Sequence, residues 1–464
     1  MTHRARYVAA PALLVLAVFA STSSDACSDF LLNTTSESVV SGRTMDFAAD
    51  LSSVMEVIPR GSTFNELPVL HCPECPDYSW KSKYGFIGLN MFGLNVAADG
   101  MNEKGLSAAE LYLIATKYPV PEEESHVNKN DVKHDKEQPI VTSICSYILG
   151  NFATVEDVRE GFKRIQIAEY DEQIATLLVG KKGDLGRVPL HISVHDANGK
   201  SLVIEFIDGK VVLYDNVNQV LTNDPPLNKQ LAALEKNGFD SFPGGYAPTE
   251  RFIRLSVLNR NVPFGYLGSP TTASYLAGTE EQRAIADTLH LLNTVVRPPS
   301  SEATEWSIVR DHGRKKLYIR SNVNQVLRHV NLNKLDFEDP ASRRAIPVTF
   351  GNWFVDVTGA LLDETNKVRT FDLPERSKIE ALIKAKEGSA PPTSTSAAST
   401  QEPAMARSAV SAAALHEDSS LSSFLIGCVC GGLFMSFVTI SGQFLVQRVR
   451  QRDYEAIPDS SSSA

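Results

Sequence analysis

No basic domain stands out in this chain. Its 45 Lys and Arg stand against 55 Asp and Glu, for a net charge of −10. That balance argues against a general nucleic-acid binder, which needs clustered cations to neutralise phosphates. No second Cys/His pair stands at metal-binding spacing from Cys72 and Cys75. The run His71-Cys72-Pro73-Glu74-Cys75 therefore reads more readily as a local disulfide in an oxidising compartment than as a zinc knuckle. No low-complexity break interrupts residues 27–386, and no charged residue occurs from Leu421 to Val446.

The two ends define an expected topology. Arg4 and Arg6 precede an apolar run from Tyr7 to Ala20, and a small polar stretch leads to Ala26. This is the pattern of a signal peptide over residues 1–26. Ser24 and Ala26 stand three and one residues before a cleavage point at Ala26–Cys27. The alternative, an uncleaved signal anchor, has too short an apolar run to span a bilayer. Residues 421–446 are apolar enough to cross one as a transmembrane helix, and Arg448, Arg450 and Arg452 follow as a cytoplasmic flank. Together these features predict a single-pass type I membrane protein of the secretory pathway. Its body is luminal or extracellular, at the plasma membrane or in endo-lysosomal membranes.

Between the ends, residues 27–386 form the predicted body. Residues 387–420, rich in Ala, Ser, Thr and Pro, form a stalk unable to bury a core, and 447–464 form a cytosolic tail. Strand patterns open the body as a hairpin around Asn33-Thr34-Thr35-Ser36, return as a meander over His191–Tyr214, and close as a hairpin across His312-Gly313. Helical patterns cover Gln138–Asn151, Thr154–Ile165, Asn228–Asn237, Thr249–Asn259 and Glu280–Thr294. Strands and helices come in blocks, which favours an α+β layering over a doubly wound parallel sheet. Asn33 heads a glycosylation sequon. Tyr454-Glu455-Ala456-Ile457 looks like a sorting signal, and Gly427 and Gly431 form a small-residue pair in the span.

Cleavage after Ala26 would make Cys27 the first residue, with a thiol and a free α-amine on one residue. An α-amine titrates near neutrality, at about 7.7–8.0, so it can take the thiol proton and later return it to a leaving group. The bland alternative is a structural cysteine near the cleavage point. Cys145, on an apolar helix face, is read as a core residue.

The residues after Cys27 favour the catalytic reading. Cys27-Ser28-Asp29-Phe30 and Gly42-Arg43-Thr44-Met45-Asp46-Phe47 are succeeded in order by Asp99-Gly100-Met101-Asn102-Glu103-Lys104-Gly105-Leu106 and Leu149-Gly150-Asn151-Phe152. Leu221-Thr222-Asn223, Glu250-Arg251-Phe252 and Trp306-Ser307-Ile308-Val309 complete the set. Over roughly Cys27 to Leu335 the chain resembles the penicillin V acylase and bile salt (choloylglycine) hydrolase family, linear amide C–N hydrolases of the N-terminal-nucleophile superfamily.

The resemblance implies a four-layer αββα fold with the cysteine between two antiparallel sheets. It also implies roles: Cys27 as nucleophile, Asp46 holding its amine, Arg43 favouring the thiolate, Asn223 donating to the oxyanion, and Arg251 supporting that region. Each has a plainer reading, as an ion pair (Arg43 with Asp46), a turn residue (Asn223) or a solvated helix residue (Arg251). Tyr112 stands where bile salt hydrolases carry asparagine and penicillin V acylases carry tyrosine. Its backbone N–H would be the second oxyanion donor, and its ring would suit an aryl or fatty acyl group.

The expected activity is hydrolysis of a small-molecule N-acyl amide through a thioester on Cys27, with no cofactor and no metal. The alternatives are acyl transfer by the same residues, and a non-catalytic type I membrane binding or receptor protein on the same fold. The family's habit of association leaves a homo-oligomer open.

Overall fold

A computed structural model of the protein describes residues 27–363, apart from 34–37, 48–49, 71, 73–74, 76–77, 122–137, 172–187, 263–278 and 299–302, together with 376–387. The predicted signal peptide and span, most of the stalk, the tail motifs and the rest of the Asn33 sequon lie outside the described residues. Behind Cys27 the expected hairpin forms. β1 (Ser28–Leu31) runs antiparallel to β2 (Val40–Phe47), with Asp29 opposite Arg43 and Phe30 opposite Gly42.

β3 (Val54–Ile58) comes next, then a small ladder of β4 (Thr63–Asn65) and β5 (Ser79–Lys81), then β6 (Phe86–Asn90), β7 (Ala97–Asn102) and β8 (Ser107–Tyr112). A parallel pair, β9 (Ile140–Val141) and β10 (Gln166–Ile167), brackets α1 (Ile144–Asn151) and α2 (Val155–Phe162). The predicted meander appears as β11 (Leu190–His195), β12 (Ser201–Ile207) and β13 (Lys210–Asp215). Its tight turns place Gly199 and Gly209 at φ +75°, a backbone conformation costly for other residues. β14 (Val220–Thr222), α3 (Leu227–Asn237), α4 (Pro248–Asn261) and α5 (Glu280–Asn293) lead to the hairpin of β15 (Ala303–Asp311) and β16 (Lys316–Ser321). β17 (Arg328–Asn331), β18 (Arg344–Pro347) and the short helix α6 (Thr358–Leu362) follow.

The strands build a six-stranded sheet, β14-β1-β2-β15-β16-β17, and an eight-stranded one, β13-β12-β11-β8-β7-β6-β3-β18. Side-chain alternation shows how they stack. On β8, Ala109 and Leu111 join the core that holds Met45 and Ile308 of the other sheet. Ala108, between them in alternation, joins a second core with Ile148 and Leu149 of α1. Helices α4 and α5 cover the outer face of the six-stranded sheet, against β1, β2, β14 and β15, and α1 covers the eight-stranded sheet. The order is helices, sheet, sheet, helices, an α+β fold of four layers.

One helix differs from expectation. The pattern over Gln138–Asn151 predicts continuous helix, whereas Ile140–Val141 is strand and α1 starts at Ile144. The reason is tertiary. The Glu66 carboxylate accepts from the backbone N–H and hydroxyl groups of Thr142 and Ser143 at 2.7–2.8 Å, satisfying donors at the helix entry from outside the local sequence.

Contacts divide the chain after Lys367, short of the Lys386 boundary expected for the body. The second unit's described helix, α7 (Arg376–Glu387), carries an Arg376–Glu380 pair at 3.0 Å. Among the described residues no helix is long and apolar enough to cross a membrane.

Candidate active site

Cys27 immediately precedes β1 and is 4% exposed. Its Sγ lies 3.7 Å from Met45 Sδ, 3.8 Å from Arg43 Nη2 and 3.9 Å from the Asp46 main-chain oxygen. The hairpin register explains this cluster. Ser28 pairs with Thr44, so the residue before Ser28 faces the end of β2.

Arg43 is fully buried and spans the gap between the sheets. Nη1 donates to Asp99 Oδ2 at 2.7 Å and to the Ala98 carbonyl at 2.9 Å on β7, and Nη2 donates to the Glu110 carbonyl on β8. Burial opposes its charge, but Asp99 and then the Cys27 sulfur outweigh that and hold the guanidinium firmly ionised. The plainer reading of Arg43, an ion pair with Asp46, is not what forms. The partner is Asp99.

Asp46, also fully buried, accepts from the hydroxyls of Thr304 and Thr44. Burial raises its carboxyl to about 6, against the opposing pull of Arg251 and the Thr304 hydrogen bond. This carboxylate has no direct cationic contact among the described residues.

Arg251, on α4, is buried rather than a solvated helix residue. Nη1 donates to the Cys27 carbonyl at 2.6 Å and to Ser28 Oγ at 2.5 Å, and Nη2 donates to Asn223 Oδ1 at 3.0 Å. One planar group thus holds both the cysteine and the asparagine. With its oxygen committed to Arg251, the Asn223 amide turns Nδ2 elsewhere, and that nitrogen is buried without a hydrogen-bond partner. An orphaned buried donor is costly unless a ligand satisfies it.

Tyr112 ends β8 opposite Leu190, half-buried. Alternation gives its side chain the face of Ala108 and Glu110, the α1 side of the sheet, rather than the face of Ala109 and Leu111 that meets the other sheet, against the expectation of a ring beside the thiol. Asn33 lies at the far end of β1, its N–H donating to Asn259 Oδ1 at 2.8 Å.

Several residues had no role assigned from sequence. Asp99 is gripped by Arg310 through Nε at 3.0 Å and Nη2, and Arg310 Nη1 reaches Asp29 Oδ2 and Ser41 Oγ, both at 3.1 Å. Asp29 Oδ1 in turn meets His195 Nε2 at 2.5 Å and Ser193 Oγ at 2.8 Å. The result is a fully buried chain of alternating charge between the sheets, ending at the thiol. Gln230 on α3 clamps the asparagine loop, donating to the carbonyls of Asn223 and Pro225 at 2.6 and 2.7 Å. Asp29 and Asp99 lie inside two of the ordered motifs, and nothing local marked the others.

Two cavities flank this centre. One, about 390 Å³, is lined by Arg297, Thr304, Trp306 and Arg320 and so reaches the hydroxyl that holds Asp46. The other, about 740 Å³ including open space, lies behind β8 and is largely apolar, with Glu110 and Glu169 among its lining; burial raises the Glu110 carboxyl to about 7. Cys72 and Cys75 are disulfide-bonded, so their thiols are not zinc ligands. Cys145 is buried and donates to the Ala108 carbonyl. Among the described residues no group of three His, Cys, Asp or Glu is placed to hold a metal.

Comparison with known proteins agrees with this geometry. Residues 27–238 match the linear amide C–N hydrolases, choloylglycine hydrolase family. The chain is 27% identical over 315 residues to penicillin V acylase of Pectobacterium atrosepticum, covering 64% of this chain and 78% of that one. It is 26% identical over 263 residues to a bile salt hydrolase/transferase of Clostridium perfringens, covering 50% and 71%. The solved structure of penicillin V acylase from Agrobacterium tumefaciens aligns with a TM-score of 0.52 at 26% identity, over 67% of this chain and 88% of that one.

Proposed function

This chain belongs to the choloylglycine hydrolase family of linear amide C–N hydrolases, and from that premise we propose a membrane-anchored, luminal or extracellular N-acyl amidase whose nucleophile is Cys27. In this reading cleavage after Ala26 frees the Cys27 α-amine. The amine takes the thiol proton and Sγ attacks the amide carbonyl carbon. Arg43, 3.8 Å from Sγ, lowers the cost of the thiolate. The carbonyl oxygen takes up negative charge and is met by Asn223 Nδ2 and the Tyr112 N–H. Collapse breaks the C–N bond. The ammonium of Cys27 returns its proton to the departing nitrogen, leaving a thioester, and water then releases the carboxylic acid and restores the thiol.

The observation that carries this reading is the unpartnered Nδ2 of buried Asn223, with its oxygen tied to the guanidinium that also holds Cys27. Asp46 adds support. Burial pushes its carboxyl up to about 6 against the pull of Arg251, Arg297 and Arg43, and a liberated α-ammonium reaching it would favour the ionised form. A Clostridium perfringens relative is named a hydrolase/transferase, and an amine attacking the thioester in place of water would give acyl transfer by the same steps.

The test is N-terminal sequencing of the mature protein, followed by assay of phenoxyacetyl and fatty-acyl amides. A chain beginning at Cys27 that hydrolyses them, with activity lost in Cys27→Ala, is the expected result. A mature chain that starts elsewhere has no α-amine on Cys27, and the mechanism fails.

A further inference from the structure

Beyond β18 the folded unit turns large apolar side chains into solvent. Phe354 is 88% exposed, Leu361 84% and Leu362 78%, with Phe350, Trp353 and Val355 each at least half exposed. The segment is tied to the unit where it begins, and a further bond closes a turn within it. Asn324 Nδ2 donates to the Thr349 carbonyl at 3.0 Å, Arg328 Nη1 donates to the Phe350 carbonyl at 2.8 Å, and the Asp356 carboxylate accepts from the Thr358 N–H at 2.9 Å. Scattered exposed leucines need no explanation, but a run of exposed apolar side chains of this kind, continuing from a fixed entry, marks a contact surface.

Its composition points to the occupant. Trp and Phe beside Val and Leu, with Asp356 the single charge from Phe350 to Leu362, resemble the apolar face that amphipathic segments bury at a lipid–water boundary. The same chain carries the uncharged apolar run Leu421–Val446. If that run spans a bilayer, the patch meets lipid as an intramolecular event, so even weak affinity is effective.

We propose that residues 350–362 form a lipid-docking surface that lays the catalytic unit on the bilayer anchoring the chain, at the phase where long-chain acyl amides reside. This rests on the anchored-amidase reading above.

The protein supplies its own reporter. Of its three tryptophans, Trp80 and Trp306 are 6% and 1% exposed, so Trp353 alone can sense lipid or an aqueous quencher. The full chain is reconstituted into phosphatidylcholine vesicles with and without brominated acyl chains. Quenching is expected in the natural chain and absent in Trp353→Leu. The double variant Phe354→Asp/Leu361→Asp should also lose it. The same double variant should cleave a bilayer-embedded fatty-acyl amide about tenfold more slowly, with a water-soluble phenoxyacetyl amide unaffected.

Trp353 open to acrylamide and unquenched by brominated lipid overturns the proposal. In detergent, protection that grows with protein concentration and dimer mass assigns the patch to a second copy, and protection in the monomer assigns it to the chain's own segment. Either result also overturns it. Failure of the parent reading is seen separately. Alkaline extraction of the chain from vesicles disproves the anchor, after which quenching by added vesicles still judges the patch. Quenching by a Cys27→Ala chain judges it without any activity.

Discussion

Asn223 spends its oxygen on Arg251 and keeps its nitrogen unpaired in a buried site. Truncation to Ala should therefore remove a transition-state donor with little effect on ground-state binding. Steady-state kinetics of Asn223→Ala on a phenoxyacetyl amide should show kcat lower by about 10²–10³ with KM little changed. Asp46 gives a second prediction, in which the sign matters. Its carboxyl is raised from 3.8 to about 6, so between those values the folded state of the unprocessed chain holds a proton that the unfolded state has lost. The contribution of this carboxyl to stability then declines as pH rises through that window, by about 3 kcal/mol as an upper bound. Asp46→Asn removes the decline, and denaturant midpoints of the two uncleaved chains from pH 4 to 7 would reveal it. A slope unchanged by the substitution would show that burial does not raise this carboxyl.

At the level of elements, β2 packs against α5 at Gly42, where an added Cβ would come within 2.7 Å of Thr288 Cγ2 and 3.0 Å of Phe30. Gly42→Ala should cost about 1–3 kcal/mol by overpacking. Thr288→Ser removes the offending methyl and keeps the hydroxyl that bonds the Ala284 carbonyl at 2.7 Å. Thermal unfolding of the double variant should thus recover much of the loss. Hairpins and amphipathic helices were legible because period and turn residues are local signals. β11, β12, β13 and α4 fall close to where alternation and helical spacing put them. The entry of α1 was not legible, since Glu66 reaches it from across the fold. In the site, Cys27, Arg43, Asp46, Asn223 and Arg251 could be picked out by ordered motifs. Asp29, Asp99, His195 and Arg310 lie on different strands, and only the pairing of two sheets brings them together.

For the whole molecule a buried histidine contributes to acid sensitivity. His312 is buried, bonded to the Gly105 carbonyl and Ser41, and lowered from 6.5 to about 3, with burial the main cause and His195 adding to it. As pH falls through that interval the unfolded chain binds a proton that the folded one refuses, so stability is lost. The interval corresponds to about 5 kcal/mol, and it is opposed over the same range by Asp46 and Glu110, whose carboxyls burial raises. Between pH 7 and 4 the urea midpoint of His312→Gln, measured against that of the natural chain, should rise as the pH falls.

The buried guanidinium–carboxylate chain has a further consequence for alignment. Asp29, Arg43 and Arg310 on one sheet engage Ser193, His195 and Asp99 on the other. Sliding either sheet by a single residue, about 3.3 Å, would sever every one of these links together. Apolar faces tolerate gradual slippage, whereas these act as dowels. Warming therefore cannot let the thiol drift by fractions of an ångström from its donors. The two sheets stay in step, or the whole assembly comes apart.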